Sequence, residues 1–355
     1  MNSSDYLTWG PSPEIFTIPE FYLPFSVSIY GLVLAAVIYF FGWQYIKPEK
    51  SGEPMEEPWK GWALAAAAFI IGQLPFFFIN SPSIDSIGPL QPRWYGLLFA
   101  SAFIFGYAIT SRMFRFAGRS QEDMDRLLIY VLIATVVGAR LGHVIFYDLD
   151  YYLRNIHLVP QVWLGGLASH GAAVGILIAM YLYVKKTPGM TFYWLADRVV
   201  PGVAIGGMFI RIGNFMNSEI LGKATDLPWA VVFEASPQLT QAERMIPRHP
   251  SMLYESLLCI IVLAVLWTIY RKYDRKPPEG SLFGTFLVML FTGRFLIEYT
   301  KLAQTNIGET WALNMGQWLS IPLVLFGLWL LIVKVDWKPK PDTLNRTEKK
   351  QTDDE

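Results

Sequence analysis

Cysteine is almost missing from this chain: 355 residues contain one, Cys259. That excludes a disulfide framework within one chain and a cysteine-based zinc site. The 4 histidines are scattered without ligand spacing, so no metal site is expected. Charged residues make up 16%, against roughly 25% in soluble domains, and the formal net charge is +0. With no basic field, nothing suggests a nucleic-acid partner. The N-terminus MNSSDYLTWGPSPE lacks the positive start of a signal peptide, so the first apolar span is expected to be retained. The chain also lacks a convincing Ser–His pair, paired membrane aspartates and an HExxH motif, which argues against an intramembrane protease or acyltransferase.

What is present is apolar sequence, 53% of the chain, in runs that approach the roughly 20 residues a membrane helix needs. Such runs lie near 24–46, 62–80, 94–110, 127–147, 164–184, 199–216, 252–270, 281–299 and 316–335. They predict an all-α polytopic membrane protein of about nine transmembrane helices. Lysine and arginine alternate between the intervening segments. The tail through Tyr22 has none, Lys47, Lys50 and Lys60 follow, and 81–92 again has none. Arg112, Arg115, Arg119 and Arg126 fill one later connection, and Arg271, Lys272, Arg275 and Lys276 another, whereas Lys301 stands alone in its loop. Because cytoplasmic loops are enriched in these residues, the N-terminus is expected outside and the C-terminus in the cytoplasm. The tail 338–355 is polar and mixed in charge, and is expected to be disordered. SIYGLVLAAVIYFFG from Ser28 and RWYGLLFASAFIFG from Arg93 share Tyr-Gly-Leu, either as an ordinary start of a span or as a duplicated segment. Pro201 falls at the start of its expected span, where proline is tolerated.

In this orientation the ionisable residues of separate spans gather in the outer half of the bilayer. They are Tyr95, Arg140, His170, Arg211, Arg294 and Glu298, with Arg248 and His249 just outside a span. The stretch RIGNFMNSEILG from Arg211 carries an arginine, two asparagines and a glutamate straight after an apolar run. Arg211 and Asn214 share a helix face, with Gly213 leaving room for close approach. An arginine at membrane depth is costly and usually faces a cavity or a partner, and its guanidinium suits a two-pronged grip on phosphate. Arg294 and Glu298 stand at i,i+4, where they can pair. Other roles stay open. Arg140 is either a participant or a snorkelling or structurally paired residue. His170 is either functional or a helix-packing residue, since Gly171 and Gly175 form a close-contact motif. Glu219 and Glu255 are candidates to cap or brace the polar loop.

RIGNFMNSEILGK is similar to the signature of the prolipoprotein diacylglyceryl transferases, bacterial enzymes that begin lipoprotein maturation. IGPLQPRWYGLLFA, GARLGHVIFYD, the Ser169-His170-Gly171 turn, RHPSMLYES and GRFLIEY also occur in the family's order, over about residues 86–335. Ala172 and Ala139 stand where the family usually has glycine. The resemblance implies a core of seven helices over 86–337, including an external segment 217–249. The segment 1–85 is then an N-terminal tail with two additional helices, and Tyr95 rather than Tyr30 is the functional tyrosine.

The activity it implies is transfer of the diacylglyceryl group of phosphatidylglycerol to the lipobox cysteine of a prolipoprotein. A thioether forms and glycerol-1-phosphate leaves. Arg211, Arg294, Arg140, Asn214 and Gly222 would bind phosphatidylglycerol. His170, Arg211, Arg294 and Tyr95 would be catalytic, with Glu219, Arg248, Glu255 and Glu298 in support. His170 either takes the thiol proton or positions lipid while arginines lower the thiol pKa. No cofactor or metal is implied. The expected setting is the bacterial inner membrane, as a multi-pass monomer with its active site facing outward, and its partners are phosphatidylglycerol, prolipoprotein signal peptides and membrane lipids. A secondary transporter or lipid flippase is the alternative, since it too would carry intramembrane arginines and internal repeats. Against it, the polar residues cluster on one side of the bilayer and the Tyr-Gly-Leu echo covers one span.

Overall fold

The computed structural model describes residues 6–16, 21–28, 32, 34–36, 38–39, 63–71, 83–87, 92–162, 165–302 and 313–337. The chain divides into two compact units, Glu14–Arg93 and Met1–Pro13 together with Trp94–Glu355.

The larger unit opens with a short strand, β1 (Leu7–Trp9). Its helices are α1 (Trp94–Phe116), α2 (Gln121–Phe146), the short α3 (Leu149–Arg154), α4 (Ser169–Lys186), α5 (Phe192–Met216), α6 (Ser251–Lys272), α7 (Ser281–Ile297) and α8 (Met315–Trp329). All seven spans expected after residue 93 appear as helices. Their starts are written locally: the Ser120 side chain accepts from Asp123 N, Thr191 accepts from Trp194 N, and Asn314 with Gln317 forms a reciprocal capping box. Among the described residues, six helices are long and apolar enough to cross a membrane. The protein is therefore a mostly helical, multi-pass membrane protein. α4, bounded by Ser169 and His170 at one end and Lys185 and Lys186 at the other, is not among the six. Leu97, Ile104, Ile133, Val137 and Leu182 are exposed, as lipid-facing side chains would be.

The pairs α1–α5, α2–α4, α5–α6 and α7–α8 run antiparallel, and small residues set how closely they approach. A Cβ on Gly171 of α4 would lie 2.2 Å from the Gly138 carbonyl oxygen of α2, and one on Gly175 would lie 2.5 Å from that of Ala134. The close-contact motif expected at Gly171 and Gly175 is thus present. On the α1–α5 seam a Cβ on Gly106 would meet the Gly202 carbonyl at 3.4 Å, and one on Gly213 would meet the Tyr95 ring at 2.9 Å. Cys259 on α6 packs beside Gly207 on α5, and Gly284 on α7 faces Gly327 on α8. A Gly171→Val substitution should force α2 and α4 apart at a cost of about 1–3 kcal/mol. The check is thermal unfolding in detergent, where an unchanged midpoint would contradict the contact.

Two local readings need correction. α5 begins at Phe192, so Pro201 lies inside the helix rather than at its start. Asp197 and Arg198, just outside the span expected near 199–216, are buried within the helix. Asp197 accepts the Gly280 and Phe283 backbone N–H groups at 2.7 and 2.8 Å, while Arg198 lies 3.7 Å from the centroid of the Trp194 ring.

In the 14–93 unit, β2 (Phe21–Ser28) pairs antiparallel with β3 (Ser83–Ile87), matching Phe21 with Ile87 and Ser28 with Ser83. The span expected at 24–46 therefore starts as strand, and Leu32, Leu34–Ala36, Ile38 and Tyr39 are helical. Residues 63–71 are helical within the expected second span. The remainder of those two spans, Tyr30 and the tail 338–355 lie outside the described residues.

Candidate active site

The antiparallel helix order brings the expected polar residues to one end of the bundle. Tyr95 starts α1, Arg140 lies near the end of α2 and His170 starts α4. Arg211 and Asn214 close α5, Glu255 lies in the second turn of α6, and Arg294 closes α7.

At that end, Glu255 is the hub of a buried charge network. Its Oε2 lies 2.7 Å from Arg211 Nε, and its Oε1 accepts from Lys301 Nζ at 2.8 Å. Lys301 Nζ also lies 3.1 Å from Glu298 Oε2. Arg211 Nη1 donates to Asn214 Oδ1 at 3.1 Å, and the amide of Asn214 donates to Glu219 Oε2 at 3.2 Å. Asn217 donates to the other Glu219 oxygen at 3.1 Å. One continuous chain of contacts thus joins Glu298, Lys301, Glu255, Arg211, Asn214, Glu219 and Asn217. Low local polarity strengthens every link in such a network and makes each unpaired member costly.

The expected Arg294–Glu298 pair does not form among the described residues. α7 gives way after Ile297 to a 3-10 turn over Glu298–Thr300. That tighter turn breaks the i,i+4 alignment and leaves Glu298 paired with Lys301 at i,i+3. Sequence reading missed Lys301, counting it as a loop charge, although its side chain is 4% exposed. Its only sequence signal is its place three residues after Glu298. Arg294 is half-buried and, among the described residues, makes no ion pair or hydrogen bond. It lies within electrostatic reach of Glu255.

The segment after α5 backs this network. Gly222 N donates to the His249 carbonyl at 3.1 Å, and a Cβ on Gly222 would lie 2.3 Å from that oxygen. Glycine is needed there for close backbone approach. Lys223 N donates to the Thr300 carbonyl and Leu302 N to that of Leu221, which fixes the turn carrying Lys301. Ser218 and Ile220 flank Glu219 at φ 52 and 58, left-handed backbone that non-glycine residues seldom adopt. β4 (Val231–Phe233) pairs parallel with β1, and Trp9 stacks on Phe215 at 4.3 Å while donating to its carbonyl. Arg248 is buried, with Nη1 3.5 Å from the Gly222 carbonyl oxygen. His249 Nδ1 lies 3.2 Å from the Tyr254 hydroxyl, and burial pushes the His249 pKa down.

Arg140 and His170 are joined to this network by no contact among the described residues. Arg140 is 3% exposed, and all three of its guanidinium nitrogens donate. It donates to the carbonyls of Val159, Gly165, Gly166 and Leu158, and Tyr152 lies beneath it at 4.9 Å. This is a clamp on the α3–α4 connection. Arg140→Lys should lose most of those bonds, with faster hydrogen exchange in that connection and about 1–3 kcal/mol of lost stability. Unaltered protection would refute the clamp. His170 is exposed and makes no hydrogen bond among the described residues.

The guanidinium donors left over define what this end of the bundle can do. Arg211 spends Nε and one Nη1 bond on its neighbours, so Nη2 stays free to donate. Among the described residues, Arg294 keeps its full set. Tyr95, packed on Gly213, lies within electrostatic reach of Arg211. Two arginines with open donors, one of them fixed by a buried carboxylate, have the chemistry to bind an oxyanion.

Comparison with known proteins points the same way. The profile of the family described as prolipoprotein diacylglyceryl transferase matches residues 82–333. A Tolumonas auensis protein is 42% identical over 264 residues, covering 74% of this chain and 99% of that protein. A Chloroherpeton thalassium protein is 40% identical over 259 residues, covering 73% and 94%. One from Vibrio cholerae is 39% identical over 267 residues, also covering 73% and 94%. All three are named phosphatidylglycerol–prolipoprotein diacylglyceryl transferase.

Proposed function

The chain belongs to the prolipoprotein diacylglyceryl transferase family, and from that premise we propose that the charged end of its helical bundle is where the transfer takes place. The reaction moves the diacylglyceryl group of phosphatidylglycerol to the thiol of a prolipoprotein cysteine. The thiolate sulfur bonds to the glycerol carbon that carries the phosphate. The carbon–oxygen bond breaks, its electron pair leaves with glycerol-1-phosphate, and the thiol proton passes to a base.

The observation that carries this reading is the contrast between Arg211, oriented by Glu255 and Asn214, and Arg294, which has no partner among the described residues. One arginine is preorganised and the other is open, so the two can grip the phosphate and follow its growing charge as it leaves. Asn214 and Glu219 hold Arg211 in register, Glu298 and Lys301 hold Glu255, and Gly222 and Arg248 shape the backing segment. Tyr95, packed on Gly213 beside Arg211, is assigned as a further hydrogen-bond donor. His170, exposed and unpartnered among the described residues, is assigned the thiol proton. Arg140 serves lipid binding through the loop it clamps.

The transferase core is assigned to 86–337, with 1–85 contributing two more spans for about nine in all and 338–355 a cytoplasmic tail. The N-terminus and the active site face outward from the bacterial inner membrane, as the lysine and arginine distribution favours. A monomer contains every side chain named here. The test is incubation of the purified protein with phosphatidylglycerol and a lipobox peptide. Mass spectrometry should find the peptide carrying a diacylglyceryl thioether. Lipid movement without that adduct would sink the assignment.

A further inference from the structure

At the opposite end of the bundle, a pocket of about 240 Å³ is lined by Arg112, Phe116, Trp267, Tyr270, Arg271 and Arg275. We propose that this pocket is a second, non-catalytic phosphate-binding site, most suited to the headgroup of an anionic phospholipid in the other leaflet. Tyr95 and Arg112 are 17 residues apart on the single helix α1, so the pocket lies roughly 25 Å from the charge network. It is no extension of the active site.

Several independent features point to an anion. Among the described residues the lining includes three arginines and no carboxylate. Two of them stack on one ring, with the Arg275 guanidinium carbon 4.0 Å from the centroid of Phe116 and that of Arg112 5.5 Å away. Stacking holds the guanidinium planes while leaving their edge N–H groups free for oxyanions. Arg275 is set in place by the left-handed cap that ends α6, where its backbone N–H donates to the Tyr270 carbonyl at 2.9 Å.

Tyr270 supplies the second line of support. It is 2% exposed, and its buried hydroxyl has no hydrogen-bond partner among the described residues. A buried hydroxyl left unsatisfied is costly, and here it is a donor in the wall of an arginine-lined pocket. Arg198 Nε is likewise buried and unpartnered, and Arg198 lies within electrostatic reach of Tyr270. Arginines in the last turn of a helix also offset its dipole, which accounts for Arg271 on α6. That effect leaves the orphan hydroxyl unexplained. With the orientation proposed above, the pocket faces the anionic cytoplasmic leaflet, and the apolar rings of Phe116 and Trp267 suit the glycerol and acyl end of a lipid.

The test is native mass spectrometry of the purified full chain titrated with dioleoylphosphatidylglycerol, with dioleoylphosphatidylcholine as the zwitterionic control. The double variant Arg112→Gln/Arg275→Gln should retain one phosphatidylglycerol fewer, binding at that site being at least about tenfold weaker. Phosphatidylcholine retention and the transfer rate should not change, which separates this outcome from any failure of the active-site assignment. Tyr270→Phe should weaken the same binding event, although losing an unsatisfied hydroxyl would otherwise leave the protein equally or more stable. A parallel thermal shift with inorganic phosphate distinguishes the sources. Stabilisation of wild type but not of the double variant by free phosphate, with equal lipid retention, supports the site and assigns it to a soluble phosphate. Equal lipid retention together with an equal phosphate response in wild type and variant would overturn the proposal.

Discussion

Arg211→Ala is expected to lower the rate of thioether formation by about two to three orders of magnitude, the usual loss when one preorganised donor is removed from a transition state. The substitution takes away both the proposed phosphate grip and one of the two cations paired with Glu255. Arg211→Lys separates these effects. A lysine retains the charge beside Glu255, but its single ammonium cannot serve Glu255, Asn214 and a phosphate from a planar fork. The lysine variant should therefore melt close to wild type yet stay at least about tenfold slow, with the loss in kcat rather than KM, because the missing bond strengthens as the phosphate departs. Both rates come from mass-spectrometric quantitation of the lipidated peptide. Wild-type kcat in the lysine variant would show that Arg211 supplies only charge, and near-normal transfer by the alanine variant would remove it from the mechanism.

Much of this site was legible in the sequence, for a physical reason. An arginine, asparagines or a glutamate inside an apolar run has few stable environments, so Arg211, Asn214 and Glu255 announce a polar cluster wherever the helices put it. Helix direction then does the rest, because alternating helices carry residues at alternate ends to one layer. What sequence could not supply was pairing. Arg294 and Glu298 look like partners at helical spacing, but the 3-10 turn that ends α7 turns Glu298 to Lys301. Nor does spacing distinguish Arg140 as a clamp from Arg140 as a ligand, since its partners are backbone carbonyls 18 to 26 residues away.

The boundaries failed for a related reason. Asp197 and Arg198 look like the end of a loop, yet they sit inside α5 because Asp197 supplies the missing acceptor at the start of α7 and Arg198 lies on an indole face. FYLPFSVS at 21–28 is apolar enough to pass for the beginning of a span. Its phenylalanines, tyrosine and valine also favour strand, and hydropathy alone does not separate a short apolar strand from a helix.

Lys301 is the sharpest departure from the sequence reading, and its removal should be the most damaging change to stability. It lies between two carboxylates, 2.8 Å from Glu255 and 3.1 Å from Glu298, in a place closed to solvent. Lys301→Met keeps much of the side-chain volume but leaves Glu298 without its cation and Glu255 with Arg211 alone. Breaking a buried ion pair from one side costs about 3–5 kcal/mol, because the remaining charge stays desolvated. The variant should unfold at a clearly lower temperature. Arg211 should also be drawn more tightly to Glu255, and so be less free to grip phosphate, slowing transfer. Glu298→Gln in the same chain removes one orphaned charge and should recover part of the lost stability, a non-additivity that a double-mutant cycle reads directly. If the single variant melts like wild type, or the two substitutions simply add, then Glu255 is held by Arg211 alone and Lys301 is a bystander.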